Sequence, residues 1–443
     1  MSSMKWNRIS LAVIVLSGMG HAAWAQPRFD ICEDVGPTLG MGVSVYGAVG
    51  DVWPNAAVAD HGASWQHAFW YALVNDDREW IVNHKGTVAR PDGAMMVFTF
   101  YHILQLGQNA GYNGTEAEVV KQAVEDPVVM HEFFTRFIQY LELFELLEAP
   151  VLMHVEPDAW GFMMWSFGTD GNDDATSIEV RVGGSGHPDA TGFADHAGGL
   201  GQALLAMRDR YAPSVRMGWH AANFRVGTRP EVTAGFYSSM GPWDVLVVAH
   251  PHNEANGAAW WEPWDETRLA TNLAWFRTVS TSAGLPILMW QIPMGWDYHV
   301  IPLSGDRSAL ARFAEANIVG MMTTHLGVGD PDEWRGFGSF AEVPPEPLGI
   351  GGTAADYRSR VATYALDPLV LPEGSLCAGG RSGAVDAGPT PDAPVVGQPT
   401  DDTGCGCRTG GGQPVGLALG VLWLVAWYRR ADRRNGRRRQ APG

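Results

Sequence analysis

The segment VLMHVEPDAWG, Val151 to Gly161, carries an apolar run into two carboxylates, a proline and a tryptophan. Glu156 and Asp158 are the candidate catalytic residues. Two carboxyl groups buried side by side cannot both ionise cheaply, so one keeps its proton near neutral pH and becomes a general acid. Because they share one strand end, they are placed to share one role. The second carboxylate of an ordinary acid–base pair is then sought after later strands, at Glu254, Asp297 or Asp330. The competing reading makes Glu156 structural, bound to backbone amides or to a histidine.

Other apolar runs end in the same manner. One closes on Tyr101-His102, another on Trp219-His220-Ala221-Ala222-Asn223, a third on His250-Pro251-His252, a fourth on Trp290-Gln291 and the last on His325. One lined cleft accounts for that repetition. His102, Trp160, His220, Asn223, His250, His252, Trp290, Gln291 and His325 are the expected substrate-binding residues. The chain has 19 tryptophans, whose flat apolar faces and N–H donors suit sugar rings; core packing is the alternative for any one of them. Carboxylates flanking a sugar oxygen are the requirement of glycoside hydrolysis, and their separation distinguishes retention from inversion. This reading needs no metal and no cofactor. A rival reading gathers His102, His154, His220, His250, His252 and His325 with Asp158 or Glu156 into a metal-dependent hydrolase site. A third is a glycan-binding protein without turnover. No G-x-S-x-G elbow, P-loop or Cys beside a His is present.

These groups need strands to carry them. Met41 to Gly47, Met95 to Ile103, Val151 to Glu156, Val215 to His220, Asp244 to His250, Pro286 to Ile292 and Ile318 to His325 are near-continuous apolar runs. Such runs suit a parallel sheet buried on both faces. Trp65 to Asn83 holds a possible eighth. Helices are expected from Asp126-Pro127 to about Glu148, over Ala197 to Tyr211, from Asp265 to Gly284 and from Asp306 to Asn317. The alternation predicts an α/β fold, a TIM-like (β/α) barrel of seven or eight parallel strands over residues 26–380, with functional groups at the carboxyl ends of the strands.

The two ends read differently. Lys5 and Arg8, the apolar Ile9 to Met19 and Ala22-Ala23-Trp24-Ala25 have the order of a secretory signal peptide over residues 1–25. Residues 381–403 are rich in Pro, Gly and Asp and predict a disordered linker. Residues 404–443 hold Cys405 and Cys407 among glycines, an apolar run from Val415 to Tyr428 and seven closing arginines from Arg429 to Arg439. Gln26 to Thr403 carries 20 Lys and Arg against 47 Asp and Glu, a net of −27. Such a surface disfavours nucleic acid and anionic membrane and leaves neutral carbohydrate unaffected. Membrane contact is expected through the tail only. Cys32 and Cys377 stand at the two ends of the barrel region and are candidates for a disulfide in an oxidising compartment.

Two resemblances rest on these residues. The order of Cys motif, apolar helix and Arg cluster resembles a MYXO-CTERM sorting signal. It implies processing near Cys405 or Cys407 by a membrane protease and attachment at the cell surface or outer membrane. VLMHVEPDAWGFM, Val151 to Met163, resembles the EPD strand of glycoside hydrolase family 6. That family has a distorted barrel close to seven strands and inverts the anomeric centre, which would place Glu156 and Asp158 in a sugar cleft. Its acid is an Asp after the preceding strand, where this chain has Phe100-Tyr101-His102-Ile103-Leu104-Gln105 instead.

Overall fold

A computed structural model describes residues 31–44, 66–74, 78, 94–147, 150–167, 171–222, 229–249, 266–292, 307–323 and 361–378. Within them the strands are β1 (Gly40–Ser44), β2 (His67–Leu73), β3 (Met95–Tyr101), β4 (Val151–Val155), β5 (Arg216–His220), β6 (Val245–Ala249), β7 (Ile287–Ile292) and β8 (Ile318–Thr323). All pair in parallel in chain order, and β8 returns to β1, so the sheet closes into an eight-stranded barrel. The eighth strand is β2, HAFWYAL, from the ambiguous region after Trp65. Eight closed strands depart from the seven-stranded form that the family 6 resemblance implied.

Helices surround the barrel: α1 (Ile31–Val35), α2 (Ile103–Asn109), α3 (Glu116–Glu125), α4 (Pro127–Glu145), α5 (Ala159–Trp165), α6 (Ala197–Tyr211), α7 (Pro230–Ser238), α8 (Glu266–Ala283) and α9 (Ser308–Glu315). The long α4 shows why its sequence is helical there. Asp126 caps it by accepting from the Val128 N–H, and Pro127 takes a first-turn position where its missing donor is not needed. Its stripe of Val129, Phe133, Phe137, Leu141 and Phe144 is buried. Phe133, Phe137 and Tyr140 meet the ring of Phe100, and Phe144 stacks on Phe98. Each such aromatic contributes about 1.5–3 kcal/mol by leaving water. At the far end of α8, Gly284 adopts φ +67°. The Gly284 and Leu285 N–H groups donate back to Thr281 and Ser280, a Schellman stop.

Strand parity sets the two faces. Phe98 and Phe100 of β3 face the helices. Thr99 hydrogen-bonds His154 of β4 inside the barrel, and His154 in turn meets His220 of β5. The lower barrel is filled by His67, fully buried between Gly40, Gly42 and Gly320. A Cβ on Gly320 would lie 2.6 Å from His67 Nε2 and 2.6 Å from Leu288 Cδ2, so the glycines make room for the imidazole.

The two ends of the barrel region are joined. Cys32 and Cys377 form a disulfide across 345 residues. Beside it Leu371 N–H donates to Pro37 and Leu39 N–H to Leu369, while Tyr364 Oη donates to the Leu39 carbonyl.

Candidate active site at the carboxyl end of the barrel

The β4 strand delivers its carboxylate through a left-handed turn. Glu156 N–H extends the ladder to Phe100, and Glu156 itself has φ +49°, which costs about 1–3 kcal/mol in a residue with a side chain. The turn carries Glu156 Oε1 to the start of α2, where it accepts from His102 N–H at 2.6 Å and Ile103 N–H at 3.1 Å. Glu156 Oε2 is buried without a hydrogen-bond partner. Burial pushes the carboxyl up to about 8; Asp158 adds to this, and the two backbone donors oppose it.

Asp158 occupies the N-cap position of α5 but does not use its side chain as a cap. It is half-buried, and its charge is felt by four neighbours. Tyr101, at the end of β3, has its phenol held well above its usual range by burial first and then by Asp158. Glu116 is pushed up to about 7 by burial and then by Asp158. For Glu156 the same charge adds to burial, and for His220 it works against burial. Asp158 thus acts on both Glu116 and Glu156, and burial together with that charge pushes both carboxyls toward their protonated forms.

Glu116 carried no signal in the sequence. A capping box places it: Thr115 Oγ1 accepts from Glu118 N–H, and Glu118 accepts from Thr115 N–H. The first turn of α3 is fixed in this way, and α3 packs against α5 beside Asp158. An acidic residue in a first turn normally answers the helix dipole. Nothing along the chain tells this one from Glu118, which points to the cap.

Below the carboxylates the barrel holds a polar chain. Thr99 Oγ1 lies 3.1 Å from His154 Nδ1, and His154 Nε2 lies 2.9 Å from His220 Nδ1. Trp290 of β7 sets its edge on both imidazoles, at ring distances of 4.5 and 5.9 Å. Burial lowers His220 to about 4 and holds His154 well below the usual histidine range. A bulge late in β7 gives Gln291 φ +54° and turns its side chain inward, where Nε2 donates to Tyr71 Oη.

The expected site residues therefore separate into groups. Glu156, Asp158, His220, Trp290 and Gln291 all lie in the upper barrel. His102 does not face it: its ring stacks on Phe100 at 3.8 Å and meets Tyr140, fully buried under α4. Trp160 was expected against substrate and is instead core. It is wholly buried, donates Nε1–H to the Val155 carbonyl and packs on Trp219 and Trp243. With Trp219, Trp243 and Trp290 also enclosed, the described tryptophans near the strand ends serve packing before recognition. Asn223, His250, His252, His325, Glu254, Asp297, Asp330, Cys405 and Cys407 lie outside the described residues, as do the signal segment, linker and tail. Among the described residues no three His, Cys, Asp or Glu side chains converge as metal ligands. His154 and His220 bind each other instead. No described helix is long and apolar enough to cross a membrane.

Fold and site together define a closed (β/α)8 barrel with a carboxylate cluster at its mouth. No family model and no curated protein matches the chain. Among solved structures it is similar to a family 26 β-mannanase from Bacteroides ovatus, at 14% identity and TM-score 0.47, over 78% of this chain and 94% of that one. It is also similar to a Cellulomonas fimi endo-β-1,4-mannanase, at 12% identity and TM-score 0.46, over 80% and 76%. A Bacteroidetes-affiliated family 5 cellulase gives 12% and 0.41, over 77% and 95%.

Proposed function

We propose that this chain is a glycoside hydrolase acting on neutral polysaccharide or oligosaccharide through carboxylate acid–base catalysis. One observation carries the reading. Glu156, held up to about 8, stands on the same strand end as Asp158, whose charge also reaches Glu116, held up to about 7. A carboxyl protonated at neutral pH can give its proton to a glycosidic oxygen, while an ionised neighbour stabilises the positive charge developing on the sugar ring or activates water. Glu156 and Asp158 are the catalytic candidates, and Glu116 is the described residue best placed to supply a further carboxylate. Gln291 would orient the sugar. The acidic composition disfavours an anionic polymer and leaves an uncharged one unaffected.

The test is reducing-sugar release from a panel of neutral polysaccharides, by the parent and by Glu156→Gln, Asp158→Asn and Glu116→Gln. Turnover in the parent that is lost in the Glu156 and Asp158 variants supports the reading; a parent inert on the whole panel defeats it.

A second reading has an observation of its own. Glu156 is 1% exposed, and one of its oxygens is engaged by two backbone donors. A carboxyl whose work is to pin α2 to the end of β4 leaves a glycan-binding barrel without turnover. Under that reading Glu156→Gln keeps full affinity for oligosaccharide in calorimetry.

The proposal extends to location. Export by residues 1–25 and surface attachment after processing near Cys405 or Cys407 fit the Cys32–Cys377 disulfide, since such bonds persist in oxidising compartments. Mass spectrometry of the mature protein checks both cleavage sites, and a tail found intact in purified outer membrane would argue against processing.

A further inference from the structure

We infer that Thr99, His154 and His220 form a directed hydrogen-bond chain through the barrel, one that turns a single N–H, on His220 Nε2, toward the carboxylates at the mouth. His220 is then a positioning residue for Asp158. This role at the site rests on the glycosidase reading; the order of the hydrogen bonds does not.

Two contacts, at 3.1 and 2.9 Å, link a hydroxyl and two imidazoles on three successive strands, β3, β4 and β5. His154 is wholly buried, so both its ring nitrogens are spent on protein partners. Between His154 Nε2 and His220 Nδ1 one atom must donate and the other accept. That choice propagates. If His154 Nε2 donates, its Nδ1 accepts from Thr99 Oγ1–H, and the proton of His220 stands on Nε2. If the order is reversed, His220 carries its proton on Nδ1 and shows a lone pair outward.

The surroundings choose between the two. Thr99 donates and accepts equally well, so the inner end has no preference. Beyond the inner hydrogen bonds, the β5 end that carries His220 pairs beside the β4 end that leads to Asp158, Val155 opposite Trp219, and the Asp158 charge acts on His220. A lone pair turned toward that negative charge is repelled, and an N–H turned toward it is attracted. Among the described residues the ring packed on both imidazoles is Trp290, edge-on and uncharged. A charged imidazole in this apolar lumen would need an adjacent counter-charge, and His154 has only an indole, a hydroxyl and a second imidazole against it among the described residues. The lowered pKa of both histidines agrees. The chain therefore fixes the orientation of a donor, as second partners of catalytic and ligating histidines do elsewhere.

The test uses the full chain labelled with 15N-histidine, with His154→Gln and His220→Gln to assign the resonances. Long-range 15N–1H spectra at pH 7 should show both rings neutral, protonated on Nε2, with the His154 Nε2–H protected from exchange. Asp158→Asn should remove the bias, so that the Nδ1–H form of His220 appears. Thr99→Val should move the His154 Nδ1 resonance and lower kcat several-fold with KM unchanged, and Thr99→Ser should restore both. A His220 protonated on Nδ1 in the parent, an imidazolium at pH 7, or tautomers unmoved by Asp158→Asn would overturn the inference. Absence of turnover on every polysaccharide would defeat the glycosidase reading and leave the tautomer result standing.

Discussion

The floor and the mouth of this barrel both bury titratable groups, but for opposite ends. At the floor His67 is enclosed by three glycines, with both ring nitrogens unpartnered, and burial lowers it to about 4. At the mouth Glu156 keeps one oxygen on two backbone donors and the other unpartnered, and burial raises it to about 8. Burial disfavours the charged form in each case, so it makes the floor base weaker and the mouth acid weaker. The floor group fills space and has no described charged neighbour acting on it. The mouth group shares its field with Asp158, and Asp158 with Glu116, Tyr101 and His220. A buried titratable group with no charged neighbour fills space, whereas a coupled set at strand ends marks a candidate site for chemistry.

The contrast breaks if floor and mouth variants behave alike. Glu156→Gln and Asp158→Asn are expected to lower kcat by about 10²–10⁴-fold, the usual contribution of a positioned acid or base, with thermal stability near that of the parent at pH 5. Gly320→Ala should do the reverse. Its new methyl meets His67 and Leu288 at 2.6 Å, and overpacking of this sort costs about 1–3 kcal/mol. Activity per folded molecule should stay unchanged. Denaturant melts beside active-site titration read both quantities, and a Gly320→Ala enzyme that melts normally but turns over slowly would dissolve the distinction.

Next in size is the disulfide. Cys32→Ser with Cys377→Ser should cost about 2–5 kcal/mol, seen as a fall in the denaturant midpoint. The hydrogen bonds of Leu39, Tyr364 and Leu371 hold the same seam. A double variant as stable as the parent would show that they suffice.

The pH dependence of stability sharpens the comparison because the buried histidines and the buried carboxyls carry opposite signs. His67 and His220, lowered from 6.5 to about 4, contribute stability that is complete above pH 6.5 and lost as pH falls through about 4. Glu116 and Glu156, raised from 4.5 to about 7 and about 8, contribute stability that is complete below about 4.5 and lost as pH rises through 7 to 8. Melting temperature should therefore pass through a maximum in mildly acidic solution. Glu156→Gln removes an ionisable group from the alkaline limb, so it should match the parent near pH 5 and exceed it near pH 9. Parallel melting curves across that range would contradict a raised Glu156.

What the sequence made legible follows the same division. The strands announced themselves as apolar runs, and β4 ends one residue before the Glu156 turn. The barrel itself was readable from their number and from the helices between them. β2 was obscure because Trp70 and Tyr71 are half-buried and its pattern alternates with neither period. Short α2 and α5 were hidden because His102 and Asp158 stand at their N-caps without side-chain caps to mark the start. The identity of Trp160 was plain but its direction was not. The positive φ at Glu156 redirects the chain, so Trp160, two residues past EPD, enters the core. Glu116 was invisible for a different reason: its approach to Asp158 depends on α3 packing against α5, a contact that no spacing encodes.

That contact gives the smallest and most selective effect. Burial is the first cause of the raised Glu116 carboxyl, and the Asp158 charge is the second. Asp158→Asn removes only the second. The Glu116 titration, followed by its 13C carboxyl resonance, should move down from about 7 but stop short of the ordinary 4.5, because the burial remains. A return all the way to 4.5 would make the charge the dominant cause and the site more open than its packing implies. No movement would place Glu116 outside the field of Asp158, and the described mouth would then hold two coupled carboxyls rather than three. The second catalytic carboxylate would then be sought at Glu254, Asp297 or Asp330, which follow the later strands in sequence.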